Sequence, residues 1–165
     1  MKYKVITCFL LWVLGFYFSF TYQKHTYVEN NDFSLYYKFS IIDFYFIFIN
    51  NLSVALIMAI LGYFSFGLIT FLVTFYNGFL LGSIATYYVL ENSIIKFFSN
   101  MLHGPIEISA FCMFGAIGLT GFNKSFNFKT SSEFLTLLKS KFMFIIVALL
   151  LLMLAAFIES SLNVK

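Results

Sequence analysis

The chain has 165 residues, of which 61% are hydrophobic, 22% aromatic and only 10% charged. A soluble domain needs about a quarter of its residues charged to cover its surface, so this composition excludes a water-soluble globular protein and specifies an integral membrane one. The formal charge of +3 is carried entirely by lysines spread between apolar runs, with no Arg and no basic block, which suits membrane topology and argues against nucleic acid as a partner.

Lys2 and Lys4 precede an apolar run from Val5 to Tyr22. The run resembles the front of a signal peptide, but Phe16, Tyr17, Phe18, Phe20 and Tyr22 stand where a cleavage site needs small residues. It is expected to be retained as the first span, about 5–22. The polar stretch that follows, with Lys24, Glu29, Asp32 and Lys38, reads as a loop of modest length. His25 within it has no second ligand at metal spacing, and Cys8 and Cys112 each lie in an apolar run, where they read as buried thiols.

The second run, about 41–61, is interrupted by Asp43, Asn50 and Asn51. Asp43 can reach the water interface, whereas the Asn pair lies roughly 10 Å deeper at 1.5 Å rise per residue. These amides need protein partners, either as interhelical glue worth about 0.6 kcal/mol or as part of a site. The uncharged segment from Gly62 to Gly67 permits only a tight turn, so the second and third spans pair as a hairpin. In the third span, about 68–89, Gly78 and Gly82 lie on one helix face and invite close approach of another backbone. Asn77 sits near the bilayer centre. Asn77-Gly78 is not a turn, because a turn would expose unpaired backbone groups to lipid.

Glu91 and Lys96 mark the next exit, and the stretch IIKFFSNML is too short to span, so it is expected to be interfacial or re-entrant. The fourth span, about 105–122, belongs to the stretch NMLHGPIEISAFCMFGAIGLTG. His103 and Glu107 stand at its edge, where an ionisable group costs a few kcal/mol unless it finds a partner. Pro105 and Glu107 also suit an ordinary helix start, with proline in the first turn and an acid near the positive end of the dipole. Such a start has no need of His103. Gly104, Gly115, Gly118 and Gly121 are assigned to helix packing. After Lys124 and Lys129, Thr130-Ser131-Ser132-Glu133 has the form of a capping box. An interfacial turn or two then leads to the fifth span, about 142–158, with Glu159 at its far end.

The sequence therefore predicts a single all-α membrane domain, 1–165, built as a polytopic bundle of about five spans. With the amino terminus in the cytoplasm, Lys2, Lys4, Lys124, Lys129, Lys139 and Lys141 fall inside, against Lys24, Lys38, Lys96 and Lys165 outside. The carboxyl terminus is then outside. In either orientation Asn50, His103, Glu107 and Glu159 belong to ends facing one side. They can form one polar cluster, with Asn77 beneath it.

These residues carry a resemblance. Asn50-Asn51 before a Gly-containing hairpin, Thr70-Phe71, Asn77-Gly78 with Leu81-Gly82, His103-Gly104 with Glu107, and Ala155-Ala156-Phe157-Ile158-Glu159 resemble the stage II sporulation protein M family of bacterial membrane proteins, over about Phe44 to Glu159. The family pattern usually has Pro before the His-Gly pair, whereas here Leu102 precedes it and Pro105 follows. The resemblance implies a multi-span protein of the bacterial cytoplasmic membrane without an established catalytic reaction. It implies either an anchor that recruits cell-wall hydrolases or, as in smaller relatives, a component of bacteriocin export or self-immunity beside an ATP-binding exporter.

A non-enzymatic assembly or recruiting role is the expectation, with transport or self-immunity as the alternative. Expected partners are the lipid bilayer, other membrane or envelope proteins and a second copy of the chain. No cofactor or metal is expected, since His103-x-x-x-Glu107 supplies at most two ligands where a catalytic zinc site needs three and a water. Gly121-Phe122-Asn123-Lys124-Ser125 lacks the spacing of a phosphate-binding loop.

Overall fold

The computed structural model describes residues 1–26, 41–90, 97–98, 101–123 and 130–162, excepting the side chains of 23–26, 123 and 162. Five helices are long and apolar enough to cross a membrane: Lys2–Tyr22, Ile41–Phe64, Leu68–Leu90, Gly104–Phe122 and Phe142–Ser161. We label the helices α1 (Lys2–Thr26), α2 (Ile41–Leu56), α3 (Leu68–Leu90), α4 (Gly104–Gly118), α5 (Ser131–Ser140) and α6 (Phe142–Leu162). Among the described residues there is no strand. The expected interfacial or re-entrant segment lies largely outside the described residues. Large apolar side chains such as Phe46, Leu72 and Leu150 are exposed on the isolated chain. On helices of this length they form the surface that lipid covers.

α4 occupies the middle of the bundle: half of its span is buried by protein, against 22–28% for the other spans. Its small residues explain this position. A Cβ built on Gly115 would stand 2.7 Å from Cys8 Sγ of α1 and 2.9 Å from Met58 Cε, and one on Gly118 would overlap the Met58 carbonyl and the Thr70 hydroxyl. Gly115 and Gly118 thus serve the packing expected of them. Gly104 does not, because a Cβ there would meet no atom within 4 Å.

α1 crosses α3 through small residues on both partners. Cys8, Leu11, Gly15 and Ser19 are buried along one face of α1, at the three- and four-residue spacing of a helical stripe. Side chains at Gly78 or Gly82 would overlap the carbonyl oxygens of Trp12 or Phe16, and one at Gly15 would overlap that of Phe75. The backbones therefore touch directly, as small-residue pairs four apart allow. A 2.8 Å hydrogen bond between the Ser19 and Ser83 hydroxyls closes the same interface.

α2 does not end as a regular helix. It passes through a π-helical stretch, Ile57–Leu61, and a last turn, Gly62–Phe64, before the chain reverses. Within the π stretch the Met58 carbonyl accepts a buried 2.7 Å hydrogen bond from Thr70 Oγ1 on α3. Gly62 and Gly118 leave room for that hydroxyl. A wider helical turn loosens the regular carbonyl ladder, and in lipid each such group needs a partner inside the protein. Thr70→Val keeps the shape but removes the donor. We expect it to cost about 1 kcal/mol, read as a lower unfolding temperature in detergent, with Thr70→Ser losing less. Equal stability of wild type and Thr70→Val would show that the bond contributes nothing.

Two local expectations are corrected. The reversal expected over 62–67 is confined to its last residues: Gly67 N–H donates to Gly62 C=O at 2.7 Å, with Phe66 and Gly67 in the left-handed region at φ 57° and 88°. Helical bonding persists further because each added bond satisfies a backbone group in lipid. The capping box is not formed. Thr130 is the extended N-cap of α5, but its side chain makes no capping bond and shares a 2.9 Å hydrogen bond with Ser132 Oγ instead. A neighbouring hydroxyl competes for the group that the helix start would use.

Candidate functional site

The entry to α4 is set by backbone hydrogen bonds around one histidine. Gly104 N–H donates to Met101 C=O at 3.0 Å, and the N–H groups of Ile106 and Glu107 both donate to His103 C=O at 3.1 Å. His103 itself has helical angles, φ −74° and ψ −26°. Pro105 sits in the first turn, where its missing N–H costs nothing. The helix thus extends back far enough to place His103 and Glu107 one turn apart on the same face.

Their side chains face each other, with His103 Nε2 3.9 Å from Glu107 Oε2. α6 supplies the third member. Glu159 Oε2 lies 3.6 Å from the same Nε2, and one donor atom from each of the three side chains falls within 4.8 Å of the others. Both separations exceed ordinary hydrogen-bond length. His103 Nδ1 is buried and has no hydrogen-bond partner.

The electrostatics of the two carboxylates differ. Glu107 lies in the first turn of α4, where the helix dipole favours a negative charge. Glu159 lies near the C-terminal end of α6, where the dipole opposes one. Burial pushes the His103 imidazole below its ordinary pKa, because a charged ring loses its hydration there. The neutral ring keeps a nitrogen lone pair. The site therefore joins one buried imidazole to two partly exposed carboxylates, with Glu107 and Glu159 side chains 21% and 31% exposed.

The structure brings together His103, Glu107 and Glu159 and leaves the expected amides dispersed in burial. Asn50 is exposed and Asn51 is buried, so the adjacent amides point different ways and Asn51 is the one turned into the bundle. Asn77 is half-buried on α3, and Gly121 is buried in the short 3-10 stretch after α4. To the two metal-type donors of the His103-x-x-x-Glu107 stretch, α6 adds Glu159 as a third. Spacing within one stretch does not reveal that donor set, because the third donor comes from another helix. Sequence reasoning missed Gly15 and Ser19 on α1, although their four-residue spacing is a readable packing signal.

Comparison with known proteins agrees with this architecture. The family model described as Stage II sporulation protein M matches residues 5–162. The uncharacterized protein MJ0793 of Methanocaldococcus jannaschii is 32% identical over 121 residues, covering 72% of this chain and 67% of that protein. No solved structure matches the chain. The family match runs through all five membrane-length helices and includes His103, Glu107 and Glu159; the chain belongs to the stage II sporulation protein M family.

Proposed function

We propose that this protein is a non-enzymatic membrane component that assembles or recruits partner proteins in the cell envelope through the shared polar end of α4 and α6. The observation that supports this reading most is the placement of two partly exposed carboxylates on a buried histidine. An acidic pair with one member on the most enclosed helix and the other on α6 presents a fixed feature to a partner, and polar groups at such positions are costly unless used or paired. A photo-crosslinking residue in place of Leu102, which is 58% exposed beside the cluster, tests it. The expected result is a discrete cross-link to an envelope protein in native membranes that weakens when Glu107 is replaced by Ala. Cross-linking to lipid alone would overturn the reading.

A second reading, a component of transport or of bacteriocin self-immunity, draws support from Asn51, which is buried inside α2. An intramembrane amide can line a path as well as join helices. Solute or ion flux in vesicles containing only this chain would favour it.

The proposed orientation has the amino terminus in the cytoplasm and the carboxyl terminus outside. Lys4 Nζ donating to Leu119 C=O at 3.2 Å supports it, because that contact sets the lysine-rich start of α1 beside the end of α4 that leads to Lys124 and Lys129. In a Cys8→Ala, Cys112→Ala background, an impermeant thiol reagent added outside intact cells should label a cysteine at Asn31 and spare one at Ser125. Labelling at Ser125 alone would reverse the topology.

A further inference from the structure

We propose that His103, Glu107 and Glu159 form a binding site for one divalent transition-metal ion of the zinc class. The inference shares residues with the docking reading but rests on the geometry of the chain alone. Its failure would leave that reading intact.

The spacing is that of ligands around a common centre. An ion bound at about 2.0–2.2 Å to nitrogen and oxygen ligands holds neighbouring ligands somewhat more than 3 Å apart. The observed separations of 3.6 and 3.9 Å, with all three donors within 4.8 Å, need only small side-chain rotations to reach that arrangement. A shared proton would instead draw a charged nitrogen–oxygen pair to about 2.7–2.9 Å. His103, with a side chain 10% exposed and aimed at both carboxylates, is held in the site without a hydrogen bond on Nδ1.

Charge points the same way. Among the described residues His103 is the one basic side chain within ion-pair distance of either carboxylate. Two carboxylates converging on an imidazole in partly apolar surroundings repel each other, and a divalent cation offsets both charges. The imidazole selects the class of ion, since Mg2+ and Ca2+ favour all-oxygen ligands whereas zinc-like ions accept nitrogen. Three protein donors leave at least one coordination position on the exposed side, where water or a partner's donor completes the shell.

The test uses the full chain, purified in detergent, stripped with chelator and titrated with Co2+, whose visible absorption reports coordination. The expected result is saturation at one Co2+ per chain, displacement by Zn2+ and none by Mg2+. Loss of an outer-shell group alone weakens metal sites roughly 10–100-fold, so Glu107→Gln, Glu159→Gln and His103→Ala should each weaken binding by at least about tenfold. His25→Ala, at the chain's other histidine, should leave it unchanged. Circular dichroism checks that each variant keeps its helices, and a Zn2+-dependent rise in the wild-type unfolding temperature gives a readout independent of the variants. Absence of saturable binding by the folded wild type, or equal binding by all three site variants, would overturn the proposal. Cross-linking at Leu102 with and without chelator then reports separately on docking.

Discussion

Replacing Gly78 by Ile is expected to lift α1 from α3 and to lower the unfolding temperature of the detergent-solubilised chain more than Thr70→Val does. A Cβ alone at Gly78 would overlap the Trp12 carbonyl oxygen, and a backbone atom cannot move aside as a flexible side chain can. Overpacking a fitted site costs about 1–3 kcal/mol when side chains yield. Here the obstacle is a whole helix, so the cost reaches the top of that range or beyond. Gly15 meets the Phe75 carbonyl from the other side of the crossing, so Gly15→Ile should give the same defect, and the two together should be less than additive.

Helix separation can be read directly. Phe18 and Phe79 ring centroids lie 6.4 Å apart across the α1–α3 interface. Cysteines at these two positions, in a Cys8→Ala, Cys112→Ala background, should be joined by a short bifunctional thiol reagent, and Gly78→Ile should abolish the product. Undiminished cross-linking with an unchanged unfolding temperature would mean that the crossing tolerates bulk and that the backbones are not in contact.

The spans were legible in the sequence because lipid leaves a chain so few choices. An apolar run of about twenty residues must satisfy its own backbone, and a helix does so. The glycine pair on α3 was legible for a related reason, since two small residues four apart specify a close partner. The identity of that partner was not. α1 is apolar nearly all round, so its pattern of hydrophobicity gives no preferred face. Asn50 and Asn51 are adjacent and chemically identical, so the sequence did not show which of them turns inward. The π-helical stretch after α2 was hidden too, because its Met58 carbonyl is met by the Thr70 hydroxyl from α3, a contact between separate spans. At the candidate site, His103 and Glu107 were readable as one helical turn. Only packing could fix how close Glu159 comes to them.

Glu107→Ala and Glu107→Gln should separate the two functional readings. Gln keeps the shape and much of the hydrogen bonding of the carboxylate while removing its charge; Ala removes all three. If the site is an assembly contact, Gln should retain much of the partner cross-linking at Leu102, and Ala should weaken it without preventing membrane insertion. If the site moves protons or cations, charge is the essential property. Gln should then be nearly as damaging as Ala to flux, with partner recovery unchanged in both. The structure makes these variants informative because Glu107 is held by its helix and faces His103 at 3.9 Å, so neither substitution disturbs a close backbone contact. Removing the carboxylate also takes away one of the two acids beside His103, and Glu159 remains at 3.6 Å. Wild-type partner recovery and activity in both variants would leave Glu107 as nothing more than an acid placed well at a helix start.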